Sequence, residues 1–404
     1  MKKISLLSLI AATTLFATNG DHLIGLGVES RALGGTGLAA FNGAENALTN
    51  PALLSKTKVN KEFSLGGTLF NSNVKVSTTT ATNRKSAQDI SMIPVVALST
   101  RINKNLVFGL GMYGTAGMGT DWRATDWSST TNSPGLYNMR SSLMLMQFAP
   151  SIAYSKNNWG IGITTIMQFG QLSIDFDSNA TNHIGNGTSQ DFGYGFQLGG
   201  FYDLTQNFTV GAVYKSAIDM KYKNQITDAT KVFGLSGFTD NLEQPAEFGI
   251  GFAHRLNRMT YTIDIKSIQW GDAKGYKEFG WKNQTVYALG AKFEENNYWW
   301  GVGFNHASNP IPNNTDATKA GGGLAPNSIG DTLNLANYAM FPATVENHYT
   351  IGGGYDLTKT MSIAGAFTYA PAVSDTVSGA TVGVGQITTK HSQSATTIAI
   401  KYKF

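Results

Sequence analysis

The chain has 404 residues and a formal net charge of +4, and only 14% of its residues are charged, against about 25% in ordinary soluble proteins. It carries 46 Gly, 22 Phe and 16 Tyr but no Cys, which excludes a disulfide scaffold, thiolate metal sites and cysteine nucleophiles. Mean hydropathy is -0.13, and beyond the N-terminus no apolar run nears the roughly 18 residues a membrane helix needs.

A chain too poor in charge for a soluble globule and too polar for a helical membrane protein fits a transmembrane β-barrel, whose strands are apolar on one face only. No clustered basic surface marks a nucleic-acid partner. At the N-terminus, Lys2-Lys3, the apolar run Ile4 to Phe16 and small residues to Gly20 read as a secretory signal peptide over 1-20. Residues 21-58 do not alternate and are rich in small residues, as in Ala32-Leu33-Gly34-Gly35-Thr36-Gly37. Too short to fold alone, this segment is expected to be stabilised as a plug inside the lumen of a barrel spanning 59-404. Gly35-x-Gly37-x-x-Ala40 has the spacing of a dinucleotide fingerprint, but no apolar strand precedes it and no nucleotide site is expected.

From residue 62 the pattern has a period of two. About fourteen strand-like segments follow, near 62-76, 91-102, 105-115, 142-154, 158-176, 190-203, 207-222, 246-255, 259-270, 284-294, 298-306, 346-356, 361-371 and 393-404. Leu106/Phe108/Leu110/Met112 and Tyr261/Ile263/Ile265 are typical. Gly occupies many alternate positions, as in Gly160/Gly162 and Gly301/Gly303, which suits a crowded interior. Asp264, opposite in parity to Ile263 and Ile265, is expected to face the lumen. Asn305-His306-Ala307-Ser308 brings His and Ser together at a strand end, a polar terminus rather than a catalytic pair. The six His form no metal-ligand spacing, and no cofactor is expected. The last strand alternates from Thr396 to a terminal Phe404 on the apolar face.

Six connections are tight: Asn103-Lys104-Asn105, Asn157-Asn158, Thr205-Gln206-Asn207, Asn257-Arg258, Asn296-Asn297 and Thr358-Lys359-Thr360. They alternate with seven long ones, the sorting expected of an outer-membrane barrel with short periplasmic turns and long extracellular loops. Within the long loop 223-245, the apolar run Val232, Phe233, Leu235 and Phe238 reads as a ligand-capture surface. Loop 307-345 adds Leu333, Leu335, Tyr338, Met340 and Phe341.

Gly27-Val28-Glu29-Ser30-Arg31-Ala32-Leu33-Gly34-Gly35 followed by Asn50-Pro51-Ala52-Leu53-Leu54 resembles the N-terminal hatch of the FadL family of outer-membrane transporters. Further matches run in order along the chain: Tyr113-Gly114, Pro150 with Ala153-Tyr154, Tyr287-Ala288-Leu289-Gly290, Gly303-Phe304-Asn305, and Phe341-Pro342-Ala343 with His348-Tyr349-Thr350. The resemblance implies an all-β, 14-stranded antiparallel barrel with an N-terminal hatch, importing long-chain fatty acids or, in other branches, aromatic hydrocarbons. It also implies that Phe404 is read by the barrel assembly machinery and that outer-membrane lipid surrounds the wall.

By the same resemblance, Lys277 stands where a lysine of fatty-acid members binds the carboxylate, with Lys282 close behind. Asn50, Pro51 and Ala52 mark the hatch, and Gly111 and Gly114 would permit the strand kink that opens a lateral gap. Two departures weaken the fatty-acid assignment. Leu172-Ser173-Ile174-Asp175-Phe176 lacks the family's arginine, and loop 177-189 is short. The expected function is passive uptake of a hydrophobic small molecule. The rivals are a diffusion porin for polar solutes and, behind it, a lipid-hydrolysing barrel.

Overall fold

The computed structural model describes residues 19-79, 81-123, 137-179, 182-315 and 328-404. The expected signal segment therefore lies almost wholly outside the described residues. Fourteen long strands follow one another: β1 (Lys61–Ser77), β2 (Ile90–Arg101), β3 (Leu106–Asp121), β4 (Tyr137–Lys156), β5 (Trp159–Asn179), β6 (Ser189–Thr205) and β7 (Phe208–Lys215), then β8 (Glu247–Leu256), β9 (Met259–Ile268), β10 (Gln284–Glu295), β11 (Tyr298–Ala307), β12 (Asn347–Asp356), β13 (Met361–Gly379) and β14 (Gly385–Lys403). Each pairs antiparallel with its neighbours, and β14 closes on β1 from Glu62↔Lys403 to Ser77↔Thr388. Closure removes the edges that β1 and β14 would otherwise present, so the wall there satisfies its own backbone hydrogen bonds, as a lipid solvent demands. Arg84–Lys85 and Asn182–Ile184 are short accessory strands in the loops.

The two faces of the wall are inverted relative to a soluble barrel. Leu65, Leu69, Met92, Ile161, Tyr194, Ile263, Ile351 and Ile398 point outward and are exposed, while Ser64, Thr68, Gln147, Gln168, Thr262 and Asp264 are buried inside. All six tight turns fall between the expected strand pairs. Asn157 and Asn257 hold two of them with positive φ, 55° and 54°, a conformation asparagine tolerates well.

Three boundaries differ from the sequence reading. The segment 372-392 is mostly strand, because β13 and β14 run on far beyond the apolar belt and meet at a short turn, Ala380–Val382. Ser and Thr on both faces hide that extension from hydrophobic periodicity. β7 stops at Lys215, and Ile218, Met220 and Tyr222 turn into a buried cluster instead. β3 continues to Asp121.

The N-terminal residues lie within the lumen, in contact with inward-facing groups all round the wall. They form α1 (Val28–Ala32) and two 3-10 turns, Gly43–Ala47 and Pro51–Lys56. Their backbone comes so close to the strands that the wall needs glycine there. A Cβ on Gly162 would stand 2.5 Å from the Ala52 nitrogen, and one on Gly303 would stand 2.1 Å from the Gly34 nitrogen.

Candidate functional site

At the long-loop end four segments converge over the lumen. β5 sends Leu172, Ile174 and Phe176 inward, all buried. The loop after β7 carries α2 (Ile226–Val232), tied back by Asp240: its carboxylate accepts the Asn224 N–H at 2.8 Å and the Thr227 N–H at 3.0 Å. Burial would raise the Asp240 carboxyl, but these backbone donors outweigh it and hold it below the ordinary range. The loop 269-283 supplies Trp270, Tyr276, Phe279 and Trp281. The loop before β12 supplies α3 (Ser328–Leu335) and a π turn, Ala336–Met340.

The π turn leaves carbonyls that α-helical pairing would satisfy, and the wall supplies donors for them. Thr120 Oγ1 and Trp122 Nε1 donate to the Ala339 carbonyl at 2.7 and 2.8 Å, and Thr389 Oγ1 donates to that of Tyr338 at 2.6 Å. Asn337 then reaches the centre of the site, accepting from Trp281 Nε1 at 3.0 Å and donating to the Phe279 carbonyl at 2.8 Å.

Between these segments runs an apolar crevice with two lobes. One is a cavity of about 30 Å³ among Phe176, Phe233, Leu235, Leu335, Met340 and Thr332. The other, of about 20 Å³, lies among Met118, Leu172, Leu242, Tyr276, Trp281 and Asn337. Ile174, Ile226, Phe279 and Phe341 line both. Phe233 stacks on Phe176 at 5.8 Å, and Phe238 leans on Phe279 at 5.0 Å. Among the described residues, no charged side chain lines either lobe. Each lobe is about the size of one or two waters, so the crevice must widen to admit a ring, and the polar groups at the seam already bond to one another.

The floor of the crevice is a set of three rings: Trp270, Tyr276 and Trp281 stand 4.6 to 5.2 Å apart. Beneath them sits the start of the N-terminal segment. Tyr276 Oη donates to Asp21, Gln244 Nε2 donates to the same carboxylate at 3.1 Å, and a His22 ring nitrogen lies 2.8 Å from Gln244 Oε1. Gly20, at φ 70°, lets the chain pass under Trp270, where a Cβ would be 2.5 Å from the ring. Below lies a mixed cavity bounded by Leu23, Ile24, Leu38, Lys215, Glu247 and Lys266.

The wall itself parts beside this floor. Pairing of β2 with β3 ends at Val95↔Tyr113, and a bulge follows between Gly114 and Ala116. From Tyr113 to Thr120 every residue of β3 is buried, because the strand bends off the wall and is covered on both faces. The N-terminal chain pairs with the freed edge: Leu23 N–H donates to Thr115 and Gly117 N–H donates to Asp21. Gly114 lies at this bend and a Cβ there would meet Ile93 at 2.7 Å. Gly111 lies just below it, under the Tyr113 ring.

Of the residues singled out from sequence, Phe233 and Leu235 line the crevice, Phe238 backs it, and Val232 points to solvent, 38% exposed. Lys277 and Lys282 are exposed and line neither lobe. Lys277 pairs with Glu278 at 3.6 Å, and the Lys282 N–H donates to the Pro310 carbonyl. Asn50 is fully buried, accepting the Ala52 N–H and donating to the Leu38 and Gly200 carbonyls at 2.7 and 3.0 Å, with Pro51 opening the 3-10 turn. Asp264 faces the lumen and accepts the Gly37 and Leu38 N–H groups at 2.8 and 3.0 Å. His306 bonds Asn347 at 2.9 Å. Phe404 faces outward, 69% exposed, beside the seam with β1. Leu172, Ile174 and Phe176 were visible in the sequence only as a segment without an arginine. Trp270, Tyr276 and Trp281 carry no periodic signal.

The fold is shared with solved outer-membrane channels. The toluene transporter TodX of Pseudomonas putida superposes with a TM-score of 0.70 at 18% identity, covering 95% of this chain and 99% of that one. The monoaromatic hydrocarbon channel CymD gives 0.63 at 15% identity, covering 95% and 98%. A FadL homologue of Pseudomonas aeruginosa gives 0.66 at 14%, covering 97% and 100%. At such identities the likeness is one of fold. A 55-residue stretch, 14% of this chain, is 49% identical to an uncharacterized protein of Chlorobium limicola, of which it spans 27%. The model of the outer membrane protein transport proteins (OMPP1/FadL/TodX) matches residues 4–404. The chain thus belongs to that family, as an outer-membrane β-barrel transport protein and not an enzyme.

Proposed function

We propose that the chain is a passive channel for neutral hydrophobic small molecules, aromatic hydrocarbons ahead of long-chain fatty acids. The observation that carries this reading is the crevice: rings and aliphatic groups line it, and among the described residues no cation stands in its lining to meet a carboxylate. Burying a carboxylate there without a partner would cost several kcal/mol, whereas an apolar ring gains about 25 cal/mol for each Å² it buries. The printed descriptions of TodX and CymD, as a toluene transporter and a monoaromatic hydrocarbon channel, support the ligand class by analogy.

In this proposal residues 21-58 act as the hatch. The ligand is captured among Phe233, Leu235, Phe279 and Phe341, then passes the floor of rings when residues 19-26 shift. It leaves sideways where β2 and β3 part, at Gly114, and Asn50-Pro51-Ala52 stays seated against β5 and β6. The test is uptake of labelled toluene and labelled oleate by cells carrying the chain in place of their own channels. Saturable toluene uptake exceeding that of oleate is expected. Proteoliposomes swelling in sugars, with no gain in toluene uptake, would establish a porin instead.

A further inference from the structure

We propose that the outer face of the wall at β1 and β14, above the apolar belt, binds the phosphorylated headgroup of a glycolipid in the outward leaflet. The site follows from strand register. On β1 the odd-numbered residues point outward, and the belt reaches its top at Leu69, which faces Met92 across β2, both more than half exposed (52% and 66%). Above it the outward rows of β1 and β14 turn polar, while Ile90 beside Asn71 and Tyr369 beside Ser394 carry the apolar belt one row higher on the flanking strands. Asn71 faces Ser394, Asn73 faces Ser392, and Lys75 faces Lys390.

Lys75 also faces Lys85 on its other side, so three lysines stand abreast on three adjacent strands. Like charges directly opposite one another destabilise a sheet unless something neutralises them. Lys85 has Asp89 at 2.7 Å. Among the described residues, Lys75 and Lys390 make no ion pair. On the next strand Ser374 lies opposite Lys390, adding a hydroxyl and no charge.

The height of the row names the ligand. Lys75 stands four residues above Asn71, about 13 Å along the strand and, with the usual tilt, about 10 Å above the hydrocarbon edge. That is headgroup depth. The row lies toward the long-loop end, hence in the outward leaflet. A phosphate monoester offers three acceptor oxygens and nearly two negative charges, which match a cluster of ammonium donors. The amide and hydroxyl rows of Asn71, Asn73, Ser392 and Ser394 beneath it are suited to sugar hydroxyls. A ligand carrying phosphate on sugar on acyl chains meets all three levels at once.

The test uses the full-length protein purified in detergent, with native mass spectrometry reading retained lipid. Bisphosphorylated lipid A, its dephosphorylated form, phosphatidylglycerol and inorganic phosphate are offered in turn. Retention of one lipid A per barrel is expected, at least tenfold above the dephosphorylated form and above phosphatidylglycerol. In Lys75→Gln/Lys390→Gln that preference should vanish, while Lys75→Arg/Lys390→Arg keeps it. Both variants should run as folded barrels by heat-modifiable mobility, since the residues face outward. Equal retention of lipid A by the glutamine variant, or equal binding of phosphatidylglycerol, overturns the proposal. Binding of inorganic phosphate alone, without glycolipid, overturns it as well.

Discussion

At the long-loop end of the lumen the side chains that meet are Phe176, Phe233, Phe279, Phe341 and Trp281, with no charge among the described residues lining the space. At the short-turn end they are Glu29, Lys292, Lys401 and Glu45. Glu29 joins Lys292 and Lys401 at 2.9 Å each, and Lys401 reaches Glu45 at 3.7 Å. The N-terminal segment stands between the two and touches both. An apolar molecule that enters the first chamber gains nothing by entering the second, where buried ion pairs would have to part. The contrast also separates two tasks: ions anchor the plug at one end, and rings and hydrogen bonds close the crevice at the other.

The contrast can be broken most severely at Lys401. Lys401→Met leaves Glu29 with Lys292 alone and Glu45 with only the Ser64 hydroxyl, in a site where the lysine side chain is only 7% exposed. Removing one member of such a buried network costs about 3 to 5 kcal/mol. The expected result is protease cleavage within residues 19-60 while the barrel still resists heat on a gel. An unchanged digestion pattern would show that the ion network does not anchor the plug.

A smaller effect is expected from Asp264→Ala, which removes the acceptor of two plug amides. The loss is about 2 kcal/mol, read as faster hydrogen exchange at Gly37 and Leu38 with the strand amides unchanged. At the other end, Phe279→Ala enlarges a crevice whose lobes both use that ring. Toluene affinity should fall about tenfold, or 1.4 kcal/mol, with no change in plug protection. The smallest effect should come from Lys277→Ala. The side chain is 46% exposed and paired with Glu278, so ligand affinity should stay within about twofold. A large loss of oleate binding in that variant would restore the carboxylate reading.

Much of the wall was legible because its physics is local. A half-buried strand must alternate, and a two-residue turn wants a residue that tolerates positive φ, so Asn157 and Asn257 marked their turns. Where both faces share one character the signal disappears. That explains the missed upper parts of β13 and β14, polar on both faces, and the end of β3, buried on both. The site was legible in parts. Phe233 and Leu235 stood out as an apolar run in a long loop. Trp270, Tyr276 and Trp281 sit among Gly, Asp and Lys with no period to betray them, and their role depends on where the loop folds. The partners of Glu29, at Lys292 and Lys401, lie too far along the chain for any local pattern to join them.

The close approach of the plug to Gly162, Gly199 and Gly303 has a consequence for how the molecule is made. The surfaces that the N-terminal segment fits belong to strands far along the chain, so the fit is complete only when those strands are in place. At Gly162 and Gly303 an added Cβ would meet the segment's backbone, which cannot turn aside as a side chain can.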